Sequence, residues 1–179
     1  STKINVILNL LKNANNLVIV GAMANNFLKF KGFNIGASLI EKGAETVIKD
    51  IYSSAEKNKC NILIPTDCMV SSDLNGNASY KILSEITSKD IILDIGKNTI
   101  KLINETIENS KTVFWNGPAG YFENSNFSIG TLSIAKKISE NTKLGSLISI
   151  VGGGDTISSI KKGEFKNVFT HLSTAGGAF

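Results

Sequence analysis

The chain has 179 residues, 42% of them hydrophobic and 16 of them glycine, enough for the core of one ordinary domain and too apolar for a disordered chain. The net charge is +4, yet all 19 basic residues are lysine. The planar fork with which arginine grips phosphate or guanine is missing, and the densest basic spots, Lys136-Lys137 and Lys161-Lys162, read as solvated helix faces, so no nucleic-acid partner is expected.

Two cysteines, Cys60 and Cys68, and one histidine, His171, supply no disulfide framework, zinc set or Ser-His-Asp triad. They read as packing or surface residues. No apolar stretch reaches the length of a membrane span, and no charged-then-apolar segment opens the sequence. A cytoplasmic protein with no membrane partner is expected. Ser1 falls directly inside a helical period, and Phe179 follows a glycine-rich turn, so both ends read as interruptions of a longer chain.

In chain order, Ile4, Ile7, Leu8 and Leu11 mark one buried helix face. Residues 17–20 (Leu-Val-Ile-Val) predict a short buried strand ending at Gly21. A second helix begins near Ala22 and stops at Gly32. Ala44, Val47, Ile48, Ile51, Tyr52 and Ala55 give the most regular helix, and residues 62–65 the next strand. The mixed stretch 66–90, with a turn at Asp73, Asn75, Gly76 and Asn77, predicts a hairpin excursion. Strand 91–95 follows, then a helix on Ile100, Ile103 and Ile107, strand 112–115, a loop from Asn116 to Phe127, and a helix over 129–141. Strand 147–151 runs into Gly152-Gly153-Gly154-Asp155-Thr156 and another helix. A last strand around Val168-Phe169 leads to Gly176-Gly177, where a further helix is expected. Apolar strands alternating with amphipathic helices specify an α/β fold, a doubly wound parallel sheet with helices on both faces.

Ligands of open parallel sheets bind beyond the carboxyl ends of the strands. Gly21, Pro65-Thr66-Asp67, Gly96, Asn116-Gly117-Pro118-Ala119-Gly120 and the triple glycine stand at those ends. Glycines between a buried strand and a helix leave backbone N–H groups free for an anion, helped by the helix dipole. Asp155 either caps its own helix or holds a Mg²⁺ between itself and phosphates. Thr156 either bonds a phosphate oxygen or supports the cap. Glu123 reads as an acceptor for sugar hydroxyls or as an ordinary surface carboxylate, while Trp115 and Phe122 read as core. The loop is not a Walker A motif, and it lacks the dinucleotide fingerprint.

Taken together, Trp115-Asn116-Gly117-Pro118 through Phe122-Glu123, followed by Gly152-Gly153-Gly154-Asp155-Thr156, resemble the phosphoglycerate kinase family. Met23-Ala24 with Phe27-Leu28-Lys29, Asp94-Ile95-Gly96, and Ser173-Thr174 before Gly176-Gly177-Ala178 fall in that family's order and spacing. The resemblance covers the carboxyl-terminal, nucleotide-binding domain over residues 1–179. It implies an amino-terminal phosphoglycerate-binding domain outside this chain, and a glycine-alanine-lysine segment just before Ser1. It also implies transfer of a phosphoryl group from 1,3-bisphosphoglycerate to MgADP, giving 3-phosphoglycerate and ATP, in glycolysis. A monomer, inactive as an isolated half, is expected; the alternative is a stand-alone nucleotide-binding module.

Carried over by residue, the resemblance implies that Lys3 meets the nucleotide phosphates and that Gly21 and Gly96 line the adenine pocket. Asn116, Gly117 and Pro118 border the phosphates, and Glu123 takes the ribose hydroxyls. Asp155 is then the Mg²⁺-linked carboxylate, with Gly153, Gly154 and Thr156 as phosphate donors. Gly176 and Gly177 start the helix that faces the phosphoryl group in transfer. The sequence departs from the family at Ala22, within its adenine-side glycine run, and at Lys97, Tyr121 and Ala175.

Overall fold

Up to the helix that follows Gly152-Gly153-Gly154, each apolar period closes into the element it predicts, with edges shifted by a residue or two. A computed structural model describes residues 2–163 and 168–173. Helix α1 (Thr2–Leu11) leads to β1 (Asn16–Val18), α2 (Gly21–Phe30), α3 (Glu45–Lys57) and β2 (Asn61–Leu63). The hairpin β3 (Asp67–Ser71) and β4 (Ser79–Ile82) precedes β5 (Ile91–Ile95) and α4 (Lys97–Glu108). The chain continues through β6 (Thr112–Asn116), α5 (Ile129–Lys143), β7 (Ile148–Gly152), α6 (Gly154–Lys161) and β8 (His171–Ser173).

Pairing is parallel for β1 with β2 and for β7 with both β6 and β8. The alternation along residues 17–20, through the end of β1, shows why both faces must be covered. Leu17 and Ile19 pack into a core with Leu11, Phe27, Ile48, Ile51 and Ala55 of the first three helices. Val18 and Val20 point the other way, into a core with Ile103 and Ile107 of α4, Ile134 and Ile138 of α5, and Ile160 of α6. Successive strand residues face opposite sides, so a strand sandwiched between helical layers is apolar throughout. This is the doubly wound α/β arrangement.

Two departures have clear causes. The hairpin expected over 66–90 forms, as β3 antiparallel to β4, but β3 also pairs antiparallel with β5, so β5 lies in an antiparallel ladder rather than a parallel one. Apolar runs announce burial but not strand direction, which pairing partners decide. The last strand forms at His171–Ser173, not at Val168-Phe169. Phe169 is apolar because it packs on the α4–α6 core, and Val168 N–H donates to Ser139 Oγ of α5 at 3.1 Å. The helix expected at Gly176-Gly177 lies outside the described residues.

Both cysteines are buried free thiols. Burial, with Asp67 and Asp94 nearby, pushes the Cys68 thiol up to about 12, so it is inert rather than nucleophilic. His171 is exposed.

Candidate functional site

Three strand ends meet around the loop that follows β6. Gly21, at the start of α2, has φ +66°, and a Cβ there would stand 2.9 Å from the Pro118 carbonyl oxygen. The sequence carries glycine because the backbone is left-handed and the loop from β6 presses on it. Gly153, after β7, has φ +94°, and a Cβ there would stand 2.7 Å from Asn116 Oδ1. Gly117 N–H donates to Thr156 Oγ1 at 2.7 Å, closing the contact between the two loops. Gly21, Asn116, Gly117, Pro118, Gly153 and Thr156 are thus brought together.

The same loop is fixed along its length. Trp115 Nε1 donates to Gly117 O at 2.7 Å while its ring is buried, so it is core with a satisfied polar end. Ala119 N–H donates to Thr131 Oγ1 at 2.9 Å, and Tyr121 N–H to Leu93 O at 2.7 Å. Phe122 is buried, and Glu123 next to it is exposed.

At α6 the first helical bond runs from Ile157 N–H to Gly153 O at 3.1 Å. The N–H groups of Gly154, Asp155 and Thr156 therefore have no acceptor within the helix, and the dipole concentrates positive potential there. Among the described residues nothing lies within 4 Å of a Cβ placed on Gly154 or on Gly117, so both open onto free space. The cap position belongs to Gly153, which makes no side-chain cap bond; Asp155 sits two residues further in, within the first turn, and is exposed. This removes capping as the role of Asp155. Thr156 is fully buried, and its hydroxyl oxygen is engaged by Gly117 N–H. Its side chain stands behind the loop, where it supports the Gly117 turn.

Gly96 is set apart from the other glycines by its neighbour. It precedes α4, and a Cβ there would run into the Asp67 carboxylate. Asp67 is fully buried and accepts from Asn98 N–H at 2.8 Å, Thr99 N–H at 2.9 Å and Thr99 Oγ1 at 2.6 Å. It caps α4 from another strand, which Gly96 itself cannot do. Burial raises the Asp67 carboxyl, but the Thr99 hydroxyl, the two backbone N–H groups and Tyr80 outweigh it and hold the pKa below the ordinary carboxylate range.

Asp94 has the opposite balance. It is buried and accepts from Ile95 N–H at 2.8 Å and Gly130 N–H at 2.9 Å. Burial dominates those two bonds and pushes it up to about 7.

Lys3 falls in α1, and its side chain lies outside what the structure describes; Gly176 and Gly177 lie outside the described residues. Asp67, Asp94, Thr131 and Lys162 support this arrangement without a role assigned from sequence. Asp67 and Asp94 stood in segments already marked there, at a strand end and in the Asp94-Ile95-Gly96 match, whereas Thr131 and Lys162 carried no signal. Among the described residues no group of three His, Cys, Asp or Glu side chains could enclose a metal, and no helix is long and apolar enough to cross a membrane.

The family model for phosphoglycerate kinase matches residues 1–179. Phosphoglycerate kinase of Wolbachia pipientis wMel is 44% identical over 100% of this chain, and that of Zymomonas mobilis 39%. The chain spans 46% of the length of each of these curated relatives. The phosphoglycerate kinase structure from Coxiella burnetii superposes with a TM-score of 0.92 at 35% identity, covering 99% of this chain and 45% of that one. The corresponding structure from Pyrococcus horikoshii OT3 gives a TM-score of 0.75 at 30% identity, covering 99% and 44%. A family model that runs the whole length, on a fold whose strand-end glycine loops converge, places the chain in the phosphoglycerate kinase family.

Proposed function

We propose that residues 1–179 form the nucleotide-binding half of a phosphoglycerate kinase. The whole enzyme would pass the acyl phosphate of 1,3-bisphosphoglycerate to MgADP in the cytoplasm, giving 3-phosphoglycerate and ATP. The observation that carries this reading is the pairing of Asn116–Pro118 with Gly153–Thr156. It sets open glycine backbone and free helix N–H groups beside one exposed carboxylate. Helix N-termini of this kind take phosphate. Mg²⁺ typically uses one or two carboxylates together with substrate phosphates, so Asp155 beside this anion site fits it, and a cage made of protein alone is not needed.

In this reading Asp155 holds the metal and the N–H groups of Gly154, Asp155 and Thr156 meet the phosphates. Glu123 takes the ribose hydroxyls, and Gly21 and Gly96 shape the adenine side. Lys3, Gly176 and Gly177 complete the phosphate end. Bound Mg²⁺ would neutralise phosphate charge, while the chain orients the nucleotide; the attacking atom is a β-phosphate oxygen, so no side-chain nucleophile is required. The acid substrate is assigned to an amino-terminal domain outside this chain, the enzyme works as a monomer, and neither membrane nor nucleic acid is a partner.

Calorimetric titration of the chain with MgADP and MgGDP tests this directly. Saturable MgADP binding is expected, with no turnover of 3-phosphoglycerate and ATP, because half a site cannot supply the roughly 7–11 kcal/mol that positioning both reactants provides. Absence of MgADP binding, or turnover by the chain alone, would overturn it.

A further inference from the structure

Helix α6 touches the loop after β6 twice. At its start, Thr156 Oγ1 accepts from Gly117 N–H; just past its end, Lys162 Nζ donates to the carbonyl oxygens of Phe122 and Glu123, each at 3.4 Å. The Lys162 ammonium also lies 5.3 Å from the centre of the Phe122 ring, within reach of a cation–π attraction. On the far side of Glu123, Asn124 Nδ2 donates to Leu74 O at 2.9 Å and Asn126 Nδ2 to Gly76 O at 3.4 Å, which docks the turn of the β3–β4 hairpin. The Glu123 backbone is thereby held between α6 and the hairpin, although its side chain is exposed. Lys162, which in sequence looks like one of two lysines on a solvated helix end, has a defined partner.

From this geometry we infer that Lys162 is a positioning residue: it fixes the backbone that carries Glu123 and so couples the ribose end of the nucleotide site to the helix that binds the phosphates. The inference rests on the assignment of Glu123 to the ribose hydroxyls. An exposed lysine on two carbonyls contributes modestly, so removing it should alter one end of the site without unfolding the domain.

The test compares binding of MgADP with that of its 2′,3′-dideoxy analogue, by calorimetry on the chain. Lys162→Met keeps the apolar stem and removes the donors. Its MgADP dissociation constant should rise about threefold, while that of the dideoxy analogue and the melting temperature stay at wild-type values. Lys162→Arg should restore MgADP binding. In a Glu123→Ala background, Lys162→Met should have no further effect. Equal weakening of both nucleotides, or additive losses in the double variant, would show a general structural role and overturn the inference. If Glu123→Ala leaves the preference for ADP over the dideoxy analogue intact, the ribose assignment fails. If that preference disappears in Glu123→Ala but Lys162→Met leaves it untouched, the assignment stands and the inference about Lys162 fails.

Discussion

Asn116 sets its side-chain oxygen against the Cα of Gly153, so close that a Cβ there would stand 2.7 Å away. The loop after β6 and the loop after β7 are therefore fitted to each other at one glycine, and the fit places the open N–H groups of α6 beside Asn116–Pro118. Gly153 is also left-handed at φ +94°.

Gly153→Ala should consequently suffer twice, from backbone strain and from collision. A loss of about 1–3 kcal/mol of stability is expected, with MgADP affinity falling at least tenfold. Asn116→Ala in the same chain should recover part of the loss by relieving the collision but not the strain. Urea melts and calorimetry on the three variants measure this. Full tolerance of alanine at 153 would mean that the two loops are not fitted in this way.

Asp155 is not the cap of α6, which gives Asp155→Asn a clean expectation. The apo melting temperature should hardly move, since no cap bond is lost. The Mg²⁺-dependent part of ADP affinity should drop about tenfold, roughly 1.4 kcal/mol. Titrations with and without Mg²⁺ decide it; an unchanged magnesium dependence would leave Asp155 only a favourable charge near the helix dipole.

Thr99→Val keeps the shape of a buried residue and removes the hydroxyl that donates to Asp67 at 2.6 Å. The loss should be about 1–3 kcal/mol, the cost of leaving a buried acceptor short of a partner. Because the folded pKa of Asp67 is held below its unfolded value, its contribution is present above the ordinary carboxylate range and is lost as pH falls through the folded value. The variant should therefore show a shallower acid limb below about pH 4 in a pH series of denaturant melts. An acid limb identical to wild type would argue against this network.

Asp94 predicts a pH dependence of the opposite sign. Its folded pKa is raised to about 7, so its stabilising contribution is complete in acid and is lost as pH rises through about 7. Asp94→Asn has no charge to bury. The stability of the variant relative to wild type should climb by a few kcal/mol, on the order of one for each pKa unit, between the ordinary carboxylate range and about pH 7, then level off. A difference that stays flat across that range would count against a carboxyl raised by burial.

By itself the sequence determined which segments up to α6 are helices and strands, and it set glycines at the ends of the strands. Periods of 3.6 and 2 record which side of each element meets the core, and glycine before a helix records a left-handed backbone or a close neighbour. The apolar run from Leu17 to Val20 was thus legible as a strand buried on both faces. Only the tertiary structure decided what each glycine is for. Gly21 faces the Pro118 carbonyl, Gly96 the Asp67 carboxylate and Gly153 the Asn116 side chain, whereas Gly117 and Gly154 face open space. It also decided that β3 runs antiparallel to β5, and that Thr156 and Lys162 hold one loop from the two ends of α6. These contacts join residues 32 apart, as in the Asp67 carboxylate with Thr99 N–H, or 39 apart, as in Gly117 N–H with the Thr156 hydroxyl. Side-chain-to-backbone bonds over such separations leave no local period in a sequence, because the partner is chosen by packing and not by spacing along the chain.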